Sequence, residues 1–215
     1  LSQAGHEVAV ADNFVRRHYD DELGVESLVP ILRATDLNQG VVYGQATPQT
    51  QMDERLATQF DYDAVFGTVP NRFAIQAVIG HPLTVYGPGS QTRGIIDIRD
   101  TVRCIELACE NPANRGEFRV FNQMTESLSV QEIADTVAGA YPADVTIEHL
   151  DNPRVEAPDH YYNVKHTKLV DLGLEPHLLS DTLIESLFEI TKRYAHRVRL
   201  EALRPTVNWR EPNAG

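Results

Sequence analysis

The chain has 215 residues, 42% of them hydrophobic, which is material for one globular domain or one and a fraction and excludes an intrinsically disordered chain. A net charge of −12 excludes a phosphate backbone as a natural partner, so no nucleic acid is expected. No run reaches the ~20 apolar residues of a membrane span, and the opening "LSQAGHEVAVADN" has no basic-then-apolar leader, so neither a span nor a signal peptide is expected; a cytoplasmic location is expected from the two cysteines.

Only Lys165, Lys168 and Lys192 are lysines, against 16 arginines. That bias fits either a salt-adapted surface, whose charges are screened, or a genome rich in Arg codons. Cys104 and Cys109 lie five apart in a helical pattern. That spacing disfavours a disulfide, and two cysteines make no zinc site, so both read as core thiols of a reducing compartment.

In chain order, "LSQAGH" reads as a last helical turn stopped by Gly5, and residues 7 to 11 as a short strand ending at Asp12. Helix, glycine, strand and acid form the second half of a dinucleotide-binding βαβ unit, whose carboxylate accepts hydrogen bonds from the adenosine ribose. A capping Asp would look the same. No G-x-G-x-x-G occurs in the chain, so the phosphate turn belonging to that unit is not found. Arg16 and Arg17 follow, placed either over an adenine or as solvated charges.

The text breaks near Ile31–Leu32. "RATDLNQGVVYG" (33 to 44) then reads as a strand entering a polar loop, and "NRFAIQAVIGH" as a helix stopped by Gly80. Two strands surround the Gly87-Pro88-Gly89 turn, and Asp100 is expected to cap the helix "TVRCIELACEN". "GEFRVFN" is a strand. "SLSVQEIADTVAGAY" opens with Ser129 as N-cap and Glu132 in the capping-box position. "VTIEHL" is a strand and "DTLIESLFEITKRYAHRV" one long amphipathic helix. The histidines 81, 160 and 166 show no metal-ligand spacing and are expected to be structural or solvent-facing.

The succession "LNQGVVYG", helix, "HPLTVYGPGSQTRG" and "DIRDTV" resembles the C-terminal half of the extended short-chain dehydrogenase/reductases, the NAD-dependent sugar-nucleotide epimerases and dehydratases. The resemblance covers nearly the whole chain. The extra Gln39 and the run "PRVEAPDHYYN" match a branch that uses UDP-glucose, sulfite and tightly held NAD. It implies an α/β fold: a doubly wound parallel sheet, incomplete here, in residues 1–70, and mainly a substrate lobe in 71–215, with some segments returning to the sheet. It also implies that three or four βα units are missing at the 31/32 join. The family's catalytic Thr and its Tyr-x-x-x-Lys pair would go with them, so no catalytic residue is assigned and the chain is expected to be inactive as written. Tyr161 and Lys165 satisfy Tyr-x-x-x-Lys but fall in the segment that holds substrate phosphate in that family, so they are read as a chance match.

By the same resemblance, Asp12, Asn13, Arg16, Arg17 and Val42 match the NAD site. Gln39 is a sugar contact, and the backbone of Leu83, Thr84 and Val85 reads a uracil edge. Arg93 and Arg154 clamp the diphosphate, with Asn71 and Arg72 flanking it; for each arginine a surface ion pair is the alternative. A homodimer is compatible with the resemblance. Two other readings stand beside it: another nucleotide-sugar epimerase or dehydratase, or a catalytically dead UDP-sugar-binding remnant.

Overall fold

Gly40 divides what the sequence presents as one strand. In the computed structural model, which describes residues 34–57, 60–63, 66–153, 164–183 and 187–203, β1 (Ala34–Gln39) pairs in parallel with β5 (Phe118–Gln123). The Gly40 N–H donates to the Gln123 carbonyl at 2.9 Å. The chain then leaves that ladder, and β2 (Val41–Tyr43) pairs in parallel with β4 (Thr92–Asp97). A Cβ on residue 40 would sit 2.7 Å from the Gly94 carbonyl oxygen, so the change of partner requires glycine.

Two further pairings complete the sheets. β4 is central in a three-stranded sheet, with β2 on one side and antiparallel β6 (Glu126–Ser129) on the other. β3 (Leu83–Tyr86) pairs in parallel with β7 (Ile147–Leu150). The turn from β3 to β4 passes through Gly87 and Gly89 at φ of 68° and 75°, the left-handed region that favours glycine. The described helices are α1 (Pro48–Met52), α2 (Val69–Val78), α3 (Ile98–Glu110), α4 (Val130–Ala140), α5 (Thr167–Asp171), α6 (Leu179–Leu183) and α7 (Glu189–Tyr194).

Apolar residues gather in two places. Phe73, Ala74 and Ala77 of α2 meet Leu83 and Val85 of β3, Ile133, Ala134 and Val137 of α4, and Phe188. Tyr141 closes this core edge-on to Phe188, with ring centroids 5.1 Å apart. Ile96, Cys104, Leu107, Phe121, Leu169 and Leu174 form the second core, where α3 and α5 meet the strands. Among the described residues the parallel ladders with helices packed on them are few, consistent with an incomplete doubly wound α/β fold.

Several local expectations hold. Ser129 and Glu132 form the reciprocal capping box, and Gly80 ends α2 at φ 71°. Three change. The N-cap of α3 is Asp97, not Asp100: Asp97 accepts the Arg99 N–H, the helix starts one turn earlier, and Asp100 is buried in its first turn. Cys104 is buried but Cys109 is exposed, because five residues carry the helix about 140° around its axis. The far end of the expected long C-terminal helix tightens into a 3-10 turn at Ala195–Arg197 after α7; α6 covers its start, and residues 184–186 lie outside the described set. The residue pair 31/32 and the strand expected at 7 to 11 also lie outside it.

Candidate functional site

α2 and β3 are joined by a short reversal after Gly80, which lays the helix against the strand. Gln76, fully buried on α2, accepts the Thr84 N–H at 3.1 Å and donates to the Thr84 hydroxyl at 2.8 Å. One turn earlier, Asn71 accepts the Gly44 N–H at 3.0 Å, which ties the loop after β2 to the start of α2. Arg72 is buried there, its guanidinium carbon 4.9 Å from the centroid of Tyr86 at the end of β3. Asn71, Arg72, Thr84 and Tyr86 therefore share one neighbourhood.

The register of β3 decides which backbone groups are available. Leu83 N–H donates to the Thr146 carbonyl and Gly87 N–H to that of Leu150. In a parallel strand alternate residues face alternate edges, so Leu83 and Val85 turn their amides toward β7 and Thr84 and Tyr86 turn theirs the other way. Leu83 and Val85 also have fully buried side chains. Of the three residues expected to read a base, only Thr84 faces the open edge, and Tyr86 completes it. Along that edge the Thr84 N–H goes to Gln76, and the Tyr86 carbonyl accepts from Gln91 Nε2 at 3.4 Å. Between them stand one acceptor, the Thr84 carbonyl, and one donor, the Tyr86 N–H.

The other expected residues are more dispersed. Arg93 is half-buried on β4, opposite Leu128 of β6, and its Nη1 donates to the Thr92 carbonyl at 3.0 Å. Gln39 is exposed at the carboxyl end of β1, where parallel-sheet enzymes bind ligands. Val42 packs against the second core. Asp12, Asn13, Arg16, Arg17 and Arg154 lie outside the described residues, as does Tyr161. The Lys165 carbonyl accepts from the Asn122 amide at 2.9 Å. His81 and His166 bond through Nδ1 to the carbonyls of Pro82 and Val164, and His160 is outside the described set. Among the described residues no cluster of His, Cys, Asp or Glu could hold a metal ion. A cavity of about 440 Å³ between α2, residues 45–62 and α7 is lined by Phe60, Tyr62, Ile75 and Tyr194, and by none of the expected site residues.

A second polar assembly was not anticipated from the sequence. Asp100, almost wholly buried, accepts from the His177 backbone N–H at 2.7 Å and lies 2.6 Å from His177 Nδ1. Glu126 accepts the Leu179 N–H at 2.7 Å. Burial raises both carboxyls above their usual range, against the pull of these hydrogen bonds. The stretch from 177 to 179 is thus held by carboxylates from two different elements.

The fold defined by these ladders is also found in solved nucleotide-sugar epimerases. The UDP-N-acetylglucosamine 4-epimerase of Methanobrevibacter ruminantium superposes with a TM-score of 0.56 at 17% identity, over 85% of this chain and 50% of its own. A UDP-glucuronic acid 4-epimerase of Bacillus cereus gives 0.56 at 20%, over 87% and 57%. No family model matches the chain. In sequence the chain is similar to the UDP-sulfoquinovose synthases. It is 57% identical over 183 residues to the chloroplastic enzyme of Spinacia oleracea, and 42% identical over 190 residues to that of Sulfolobus acidocaldarius. Each match takes in 84% of this chain but only 38% and 47% of the relative, so the chain spans less than half the length of either.

Proposed function

We propose that this chain carries much of the UDP-sugar-binding part of a UDP-sulfoquinovose synthase-like enzyme, which converts UDP-glucose and sulfite to UDP-sulfoquinovose with NAD as cofactor. The observation that carries the reading is the open pair on β3, within a sequence 57% identical to such a synthase. An imide edge offers a ring N–H beside a carbonyl, the complement of the Thr84 carbonyl and the Tyr86 N–H. Uracil fits that pair.

The remaining assignments follow from chemistry. Asn71 and Arg72 stand beside the base-reading strand, and Arg93 and Arg154 offer the planar forks that phosphate oxygens need. Gln39 reaches the sugar from the end of β1. Asp12, Asn13, Arg16 and Arg17 are a donor and acceptor set that fits the adenosine end of NAD, and Val42 lies toward its nicotinamide. When bound, NAD supplies reversible oxidation at the sugar. This chain's residues are assigned binding and orientation, and the Tyr161–Lys165 spacing is read as a chance match. On the sequence resemblance we read the chain as written as an inactive binder, divided into a partial cofactor domain (1–70) and a substrate lobe (71–215).

Association as a homodimer is part of this proposal, as is a reducing, cytoplasm-like compartment. Among the described residues no helix is long and apolar enough to cross a membrane, and the spinach relative is named chloroplastic. Calorimetric titration of UDP into the chain tests the reading. Arg93→Ala and Arg154→Ala should each weaken binding by about 1.5–3 kcal/mol, the scale of a hydrogen bond to a charged group. Equal affinity in all three proteins would remove the phosphate assignment, and no UDP binding would remove the nucleotide reading.

A further inference from the structure

We propose that Gln76 and Gln91 are positioning residues that bracket the open edge of β3 and set which nucleobase it accepts. The inference rests on the nucleotide reading above. β3 offers four backbone groups on its open edge, in the order Thr84 N–H, Thr84 carbonyl, Tyr86 N–H, Tyr86 carbonyl. The first is taken by Gln76 Oε1 and the last by Gln91 Nε2. What remains is a single acceptor followed by a single donor.

Gln76 is locked in this orientation. Its amide is fully buried and both ends are engaged with Thr84, one on the backbone and one on the hydroxyl. Reversing it would set an NH2 group against the Thr84 N–H, donor against donor. Gln91 is 4% exposed, and its Oε1 has no donor among the described residues. A buried acceptor left in that state is costly, and a donor from a ligand or a water would relieve it.

The bracket selects by subtraction. A pyrimidine with N3–H beside a ring carbonyl meets both remaining groups. Cytosine in the same seat sets the unprotonated N3 lone pair against the Thr84 carbonyl, a contact between two acceptors. The Thr84 N–H could satisfy that lone pair, but Gln76 has removed it from the edge. Without Gln76 the carbonyl is flanked by two donors, and cytosine gains a partner.

The test compares UDP, CDP, 3-methyluridine diphosphate and pyrophosphate by calorimetry on the 215-residue chain, Gln76→Leu and Gln76→Glu. Wild type should prefer UDP to CDP and lose affinity for the N3-methylated base. In Gln76→Leu the UDP-to-CDP ratio should fall about tenfold, the effect of one hydrogen bond, with pyrophosphate affinity unchanged. Gln76→Glu keeps an acceptor for the Thr84 N–H and should restore the preference. An unchanged ratio in Gln76→Leu overturns the bracket, and so does a parallel loss for every ligand, pyrophosphate included.

Should Gln76→Leu not fold, amide exchange on the wild type decides. The Thr84 amide should be protected in the free chain and the Tyr86 amide only with UDP present. A Tyr86 amide indifferent to bound UDP overturns the proposal. Failure of UDP to bind, with the Thr84 amide still protected, refutes the nucleotide reading itself and the bracket's role with it.

Discussion

Replacing Asp100 by alanine removes the acceptor at which α3 holds the segment leading into α6. The carboxylate is 1% exposed and accepts from the His177 N–H at 2.7 Å. Its contact with Nδ1 at 2.6 Å involves a side chain 42% exposed, so that bond is discounted for solvent screening. Loss of one charge-assisted bond and a backbone N–H left unpaired should together cost about 2–4 kcal/mol. For a chain of this size that lowers Tm by roughly 5–15 °C. Asp100→Asn keeps an oxygen for the backbone N–H and should cost about 1 kcal/mol.

The pH dependence has a definite sign. Burial raises the folded carboxyl above its usual 3.8. Between those two values the folded state binds the proton and the unfolded state does not, so stability grows as pH falls through this window and declines as pH rises through the folded value. The advantage of wild type over Asp100→Asn should therefore widen on acidification from neutrality toward 3.8. Thermal unfolding followed by circular dichroism across that range measures both effects. Asp100→Ala within 0.5 kcal/mol of wild type, or an advantage that narrows on acidification, would refute the reasoning.

Glu126→Gln should behave in the same sense, since burial raises Glu126 too. Its effect should not add to that of Asp100→Asn, because both hold one three-residue stretch; simple additivity in a double-mutant cycle would argue for independent anchors. Cys109 should react at once with a thiol reagent at pH 8. Cys104, its thiol pushed up to about 11 mainly by burial, should react only after unfolding, and two fast thiols would contradict the packing of α3. Gly40→Ala should cost about 2–3 kcal/mol through backbone overlap with Gly94, and a neutral outcome in chemical denaturation would mean that the strand switch does not depend on it. Glu117, chelated by Arg119 and bonded to the Asn114 N–H, has a carboxyl held at about 2. Its support should persist well below pH 4.5 and be lost only as pH falls through about 2, which carboxyl chemical shifts would show; an NMR midpoint near 4.5 would dismiss the pair.

The sequence determined by itself whatever depends on neighbours along the chain. The reciprocal bonds of Ser129 and Glu132 span three residues, and Gly80 ends a helix through its own backbone freedom. The motif order that resembles nucleotide-sugar enzymes was legible for the same reason, because each motif is a local run of text. A polar Gln76 inside the apolar run "FAIQAV" was the one available signal of the bracket on β3.

Partners distant in sequence were decided only by the tertiary structure. Asp100 reads as a helix cap until His177, 77 residues away, is seen to claim its carboxylate. "RATDLNQGVVYG" reads as one strand until Phe118–Gln123 and Thr92–Asp97 draw its two halves into different ladders. The open edge fell to Thr84 and Tyr86, and not to all of Leu83 to Val85, because pairing with β7 fixed which amides turn outward. Hydrophobic pattern and caps act over a few residues, whereas register and the desolvation of buried carboxylates come into being only when remote segments pack.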